Sequence, residues 1–277
     1  MSKKGSIFLS VILGTSIAIA LSIALNYFAR VEINKSYNFR YRSEARILSR
    51  SIIDALKTNP ISIPPYELSP KRWIRVESED LERYININTI ILPDGKTLDI
   101  KWEKIFERIL RLAGAPIDLL PKICDFIDTD KDARLGGYEG EENLNRRLYL
   151  LEEILRMRDL NKELYDKVFS KYFTAVSSGR ININTAPKEV LMALSEEIDE
   201  EVADAIIEFR RGEKIERASD LKKIPGFPEK IIPQVAEVIC FDSKYYRLKV
   251  EVKVEEAIFK TEVVVSDGRI IYEREGW

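Results

Sequence analysis

The chain begins with an apolar run, passes through a long stretch of helical periodicity, and closes on alternating positions. No charged residue occurs between Lys4 and Arg30. About 20 apolar residues at 1.5 Å each are enough to span a bilayer core of roughly 30 Å. Apolar positions then continue at helical spacing through Ile33, Phe39, Ile47, Ile52, Ile53 and Leu56, and residues 26–59 contain neither Pro nor Gly. The pattern predicts one unbroken helix from about Ser6 to about Lys57, stopped by Asn59-Pro60. Its first half, with Ile7, Phe8, Leu9, Val11, Ile12 and Leu13, would lie in lipid; its second half is amphipathic. Lys3 and Lys4 ahead of the run predict a cytoplasmic N-terminus. Two readings compete here: a plain membrane anchor, and a secretory signal peptide with Ala18-Ile19-Ala20 as its cleavage site.

From Glu237 onward the period changes to two. Leu248, Val250, Val252 and Val254 share one face, Lys249, Glu251 and Lys253 the other, and Ser266-Asp267-Gly268 marks a turn. This predicts an antiparallel sheet with one solvated face, and the amphipathic half of the long helix is its natural partner. A Pro-rich link after residue 60 leads to a short strand candidate at Trp73–Ser78.

Between these parts the chain reads as helical. Ile85-Asn86-Ile87-Asn88-Thr89 recurs as Ile181-Asn182-Ile183-Asn184-Thr185, and helical pairs follow each copy. The repeat suggests a duplicated unit entered through a short strand and an Asn/Thr turn. In the second copy Thr185 and Pro187 occupy positions suited to an N-cap and an early-helix proline. The second copy resembles helix-hairpin-helix modules, some of which bind DNA. Residues 195–201, however, carry five carboxylates where such a hairpin needs glycines to approach phosphate.

Composition narrows the chemistry. The 277 residues include 44 Lys and Arg, 46 Asp and Glu and no His, for a net charge of −2. Without histidine there is no Ser-His-Asp or Cys-His triad and no HExxH zinc site. The two cysteines, Cys124 and Cys240, form no CxxC, which excludes a zinc finger or an iron–sulfur centre. No nucleophile–base pair stands out, so no enzyme is expected. The balanced charge gives no global field for nucleic acid.

One acidic loop has ligand spacing. Asp128, Asp130, Asp132 and Glu139 fall at positions 1, 3, 5 and 12 of an EF-hand-like loop, with Asp125 on the preceding helix and Glu142 just beyond. Ala133 stands where that loop needs Gly, and a solvated acidic turn is the competing reading. If an ion binds, an all-oxygen donor set favours Ca²⁺ over a transition metal. The candidate ligands are Asp125, Asp128, Asp130, Asp132, Glu139 and Glu142.

The basic Lys3-Lys4-Gly5 leader, the long helix, the DFIDTDKDARLGGYE loop, RININTAPKEVLMAL and the closing strands come in an order that resembles the minor pseudopilin K family of type II secretion systems along essentially the whole chain. The resemblance implies an α+β fold: a type IV pilin-like helix packed on an antiparallel sheet, with a large, duplicated, all-α insertion of the SAM or helix-hairpin-helix kind. The expected organisation is a leader at 1–5, a transmembrane half-helix at 6–29, amphipathic helix and first strands at 30–99, the insertion at 100–235 and the closing sheet at 236–277. It further implies cleavage by prepilin peptidase between Gly5 and Ser6, N-methylation, and a single-pass inner-membrane protein with a periplasmic head. Calcium in the helical domain is a trait of the family. The implied partners are minor pseudopilins of the I, J and H types and the major pseudopilin, at a pseudopilus tip that supports assembly and export across the outer membrane; no nucleic acid is implied. Most family members carry Glu as the fifth residue after the cut, where this chain has Ser10. A membrane-anchored DNA receptor with helix-hairpin-helix units is the alternative.

Overall fold

The computed structural model describes residues 3–276, and the side chains of residues 11–276. The chain divides into two compact units. One comprises residues 1–77, 248–263 and 272–277; the other comprises 78–247 and 264–271.

In the first unit, α1 (Lys3–Leu56) is a single helix of 54 residues, about 81 Å long. It is long and apolar enough to cross a membrane, and its apolar window is not buried. Val11, Ile12 and Leu13 are all exposed. The far half of α1 packs through a narrow stripe: Ala45, Ser49 and Ile53 recur every four residues and are fully buried. Two of the three are small, which lets the helix backbone come close to the sheet. Ser49 shares a 2.8 Å hydrogen bond with the buried Thr261 hydroxyl, and the stripe is flanked by Arg46–Glu275 at 2.8 Å and Arg50–Glu273 at 2.6 Å. The larger apolar residues do not join this face. Phe39 is 75% and Ile47 67% exposed, so the amphipathic half, expected to pack mainly on the chain's own sheet, does so without these two apolar residues.

The sheet has five strands in the order β1-β2-β7-β8-β9. β1 (Ile63–Ser69) pairs antiparallel with β2 (Arg72–Asp80). They join through Pro70-Lys71, with Lys71 at φ 65° as the second central residue. β1 carries Pro64 and Pro65 and is an edge strand, where missing N–H donors cost least. β7 (Tyr245–Val254), β8 (Ala257–Ser266) and β9 (Arg269–Gly276) follow as hairpins. Asp267 and Gly268 both have positive φ, as a two-residue hairpin turn requires. Leu248, Val250, Val252 and Val254 are buried while Lys249 is exposed, as the alternation predicts.

The second unit has its own hydrophobic core, running from Ile85 to Ile239. Two short parallel pairs organise it: β3 (Ile85–Asn86) with β4 (Phe173–Thr174), and β5 (Ile181–Asn182) with β6 (Ile239–Cys240). Residues 100–235 are therefore not purely helical. The unit also starts at residue 78 rather than 100, because the first Ile-Asn-Ile-Asn-Thr copy belongs to its core.

The amides of the two copies make matching hydrogen bonds. Asn88 Nδ2 donates to Leu148 O at 3.0 Å and Ala175 O at 2.9 Å, and its Oδ1 accepts from Leu148 N at 2.8 Å. Asn184 Nδ2 donates to Ile215 O at 2.8 Å and Phe241 O at 2.9 Å, and its Oδ1 accepts from Ile215 N at 3.0 Å. Asn86 and Asn182 each accept from the backbone N–H two residues on, forming the Asx turn.

Among the helices around these pairs are α2 (Ile100–Leu112), α3 (Leu119–Ile127), α4 (Lys188–Ala193), α5 (Glu200–Gly212) and α6 (Ile232–Ala236); residues 162–172 are helical too, with a π-helical turn at Tyr165–Phe169. α2 buries Trp102, Ile105, Phe106, Ile109 and Leu110 on one face and is capped by Asp99. Pro187, not Thr185, is the residue before α4; the Thr185 hydroxyl is turned to Asp80 instead.

Within the region that reads as helical, residues 148–157 form only a 3-10 helix, Leu151–Arg156. Glu153 ties it down. Its carboxylate takes Arg146 Nη2 at 2.6 Å and the backbone N–H groups of Tyr149 at 2.7 Å and Leu150 at 3.2 Å. The Arg146 hydrogen bond, with those from Leu150 and Tyr149, outweighs burial and lowers its pKa to about 2. A lowered carboxylate pKa stabilises the fold above the unfolded value, and the gain is lost as pH falls through the folded value. Glu153→Gln should therefore lower the melting temperature at pH 6–7 and flatten its fall between about pH 4.5 and pH 2. A pH series of thermal melts checks both; an acid branch parallel to that of the unmodified protein would count against this role.

Candidate metal centre

The acidic loop begins where α3 ends. The backbone N–H of Asp128 caps α3 by donating to Cys124 O at 2.9 Å, which places Asp125 and Asp128 three residues apart on the same side of the last turn. Both side chains are completely buried. The loop then returns so that Glu139 meets them. One carboxylate oxygen from each of Asp125, Asp128 and Glu139 lies within 4.8 Å of the other two.

Arg134 reaches into the same space. Its Nη1 donates to Asp125 Oδ1 at 2.8 Å and also to Asp128 Oδ2. Its Nη2 donates to Lys96 O at 2.6 Å, and its backbone N–H to Asp125 Oδ2 at 3.1 Å. Asn143 Nδ2 closes the other side, donating to Tyr138 O at 2.7 Å, Glu139 Oε2 at 3.1 Å and Asp125 O at 3.1 Å. Gly137 makes the return possible: a Cβ there would lie 1.9 Å from Asp125 Oδ2.

Two carboxylate oxygens remain unused. Asp128 Oδ1 and Glu139 Oε1 are buried without a hydrogen-bond partner. An unpaired buried carboxylate oxygen carries its full desolvation cost. Burial raises the pKa of Asp128 despite its Arg134 hydrogen bond, and raises that of Glu139, with the neighbouring carboxylates adding to both. Arg134 is raised although burial opposes it, because Asp128 and Asp125 both accept from it. Three carboxylates against one guanidinium leave two negative charges. Oxygen donors, two of them orphaned, with a residual charge of two are what a hard divalent cation satisfies.

The remaining expected ligands fall outside this group. Asp132 is exposed and gives its backbone N–H to Asp130 Oδ1 at 3.0 Å in a local turn. Asp130 is near enough to raise Asp128 and Glu139 but is not grouped with them. Glu142 lies over Gly140, where a Cβ would come 2.5 Å from its Oε2. The grouping thus keeps positions 1 and 12 of the EF-hand-like spacing, Asp128 and Glu139, adds Asp125 from the helix end, and leaves positions 3 and 5 outside. Arg134 and Asn143 were not foreseen as parts of the centre. A lone arginine between the acidic positions was the available signal.

The other expected sites resolve differently. Gly5, Ser6, Ile7, Phe8 and Leu9 lie outside the residues whose side chains are described. The hairpin between α4 and α5 buries Ile198, while Asp199 caps α5 by accepting from Val202 N at 2.9 Å. Glu196, Glu200 and Glu201 remain exposed around it. That ring of carboxylates opposes a phosphate backbone. Cys124 and Cys240 are both free thiols, and burial raises each to about 12.

Residues 181–238, within the second unit, match the family model described as Type II secretion system (T2SS), protein K. No curated protein matches the chain by sequence. Among solved structures, the fold is similar to a chain of the crystal structure of the GspK-GspI-GspJ complex from the enterotoxigenic Escherichia coli type 2 secretion system. The TM-score is 0.65 at 18% identity, covering 90% of this chain and 99% of that one. The matched segment and the shared fold together bear out the resemblance to type II secretion system protein K.

Proposed function

We propose that this chain is a minor pseudopilin at the tip of a type II secretion pseudopilus, where it helps start assembly and supports export across the outer membrane. The observation that carries the reading is the coincidence of the family match over residues 181–238 with a fold shared over 90% of the chain. The first half of α1 holds the chain in the inner membrane, with a short cytoplasmic N-terminus and a periplasmic head. Prepilin peptidase cuts between Gly5 and Ser6, and the new N-terminus is methylated. The similar structure is a complex with GspI and GspJ, so the first partners to test are the I and J types, followed by the H type and the major pseudopilin. The role is structural, with no reaction on a substrate. The resident ion of the head is Ca²⁺, taken by Asp128 Oδ1 and Glu139 Oε1 beside Asp125, where it would cancel the charge left on these carboxylates.

Deletion of the gene should abolish export of the system's substrates, with restoration by the intact chain. Pull-down from crosslinked membranes should recover the I- and J-type subunits, and intact mass should show a chain starting at Ser6. Normal export without the protein would refute the role. A start near Leu21 would instead mark an exported protein with a signal peptide.

A further inference from the structure

The centre contains a cation of its own. Arg134 Nη1 bridges Asp125 Oδ1 and Asp128 Oδ2, and the side chain is fixed at its other nitrogen by Lys96 O, 2.6 Å away. The oxygens that Arg134 does not take, Asp128 Oδ1 and Glu139 Oε1, are buried without a hydrogen-bond partner. The donors are therefore divided between two cations. Arg134 takes one set, and the unpartnered set is left for an ion. A guanidinium matches this division because its planar fork serves two carboxylates at once and it is never deprotonated at physiological pH.

We propose that Arg134 is the built-in second cation of this centre, tying Asp125 to Asp128 and limiting the site to one divalent ion. The inference rests on the reading of the cluster as a calcium site. It has two consequences. The loop keeps part of its order without calcium, because the guanidinium already offsets one of the three clustered charges. Removing the guanidinium also frees Asp125 Oδ1 and Asp128 Oδ2, so the emptied half becomes a site for a second ion.

The test is calcium titration of the full chain in detergent, after stripping with EGTA, by calorimetry and native mass spectrometry. Asp128→Asn marks which uptake belongs to this centre. The unmodified protein should take one tightly bound Ca²⁺ here, Arg134→Gln two, and Arg134→Lys one. Thermal melts provide a second readout: the rise in melting temperature on adding calcium should be larger for Arg134→Gln than for the unmodified protein. Two ions in the unmodified protein would overturn the proposal, as would one ion in Arg134→Gln with an unchanged calcium-dependent shift. If Arg134→Gln does not fold, the decision falls to the unmodified stoichiometry and to Arg134→Lys, where uptake of two ions would overturn it. No uptake by the unmodified protein, with Asp128→Asn unchanged, would instead remove the calcium reading, and this inference with it.

Discussion

Asn184→Ala should cost the protein about 3–5 kcal/mol, and Asn88→Ala a similar amount. Each amide serves three backbone groups through its two ends. Truncation leaves two carbonyls and one N–H unsatisfied around each site, and each such group costs roughly 1–3 kcal/mol, less than additively. Domains of ordinary stability have about 5–15 kcal/mol to lose, so the double variant should not fold. The loss should appear as a lower urea midpoint with an unchanged slope. Asn→Asp at either position should be as damaging at neutral pH, because a carboxylate would face two carbonyl oxygens. A shift under about 1 kcal/mol would mean that water replaces the amide without penalty.

Gly137→Ala should be the most damaging single methyl in the acidic loop. Its Cβ would lie 1.9 Å from Asp125 Oδ2. Asp125 has little room to move aside, since it is fully buried and holds both the Arg134 side chain and its backbone N–H. The loop must shift, and Glu139 moves with it. The expected result is a stability loss of about 2–4 kcal/mol together with loss of the calcium uptake proposed for this centre. Gly136→Ala provides the control. Gly136 has φ of 82°, and a Cβ there meets only Pro121 at 3.5 Å. It should cost about 1–2 kcal/mol through backbone strain alone and leave calcium uptake in place. Equal effects at the two positions would show that the close approach of Gly137 to Asp125 is not what shapes the centre.

How far the sequence reached differs from one element to the next. The long helix and the closing strands were legible because period and turn chemistry are local. A charge-free run followed by helical spacing without Pro or Gly has one regular solution, and Leu248 to Val254 alternate with charged neighbours as a half-buried strand must. The paired Ile-Asn-Ile-Asn-Thr motifs were visible as a repeat, but their purpose was not. That Asn88 closes on Leu148 and Ala175, 60 and 87 residues away, is a property of the folded chain.

The amphipathic half of α1 illustrates the limit from another side. Apolar spacing pointed to Phe39 and Ile47, yet the sheet takes Ala45, Ser49 and Ile53. Hydropathy reports what a residue gains by leaving water, whereas close helix–sheet contact also selects for small size, which hydropathy does not register. The candidate ion ligands show the same division. Spacing proposed six carboxylates, and three of them converge.

The sequence by itself determined the long helix and the closing strands, the apolar N-terminal run, the absence of histidine chemistry and the acidic character of one loop, because each follows from residue type and period along the chain. Only the tertiary structure decided which carboxylates meet, that an arginine stands among them, and which face of the helix is covered. Those outcomes depend on distances between residues far apart along the chain, set by how the loop folds back at Gly137 and by how closely two backbones can approach.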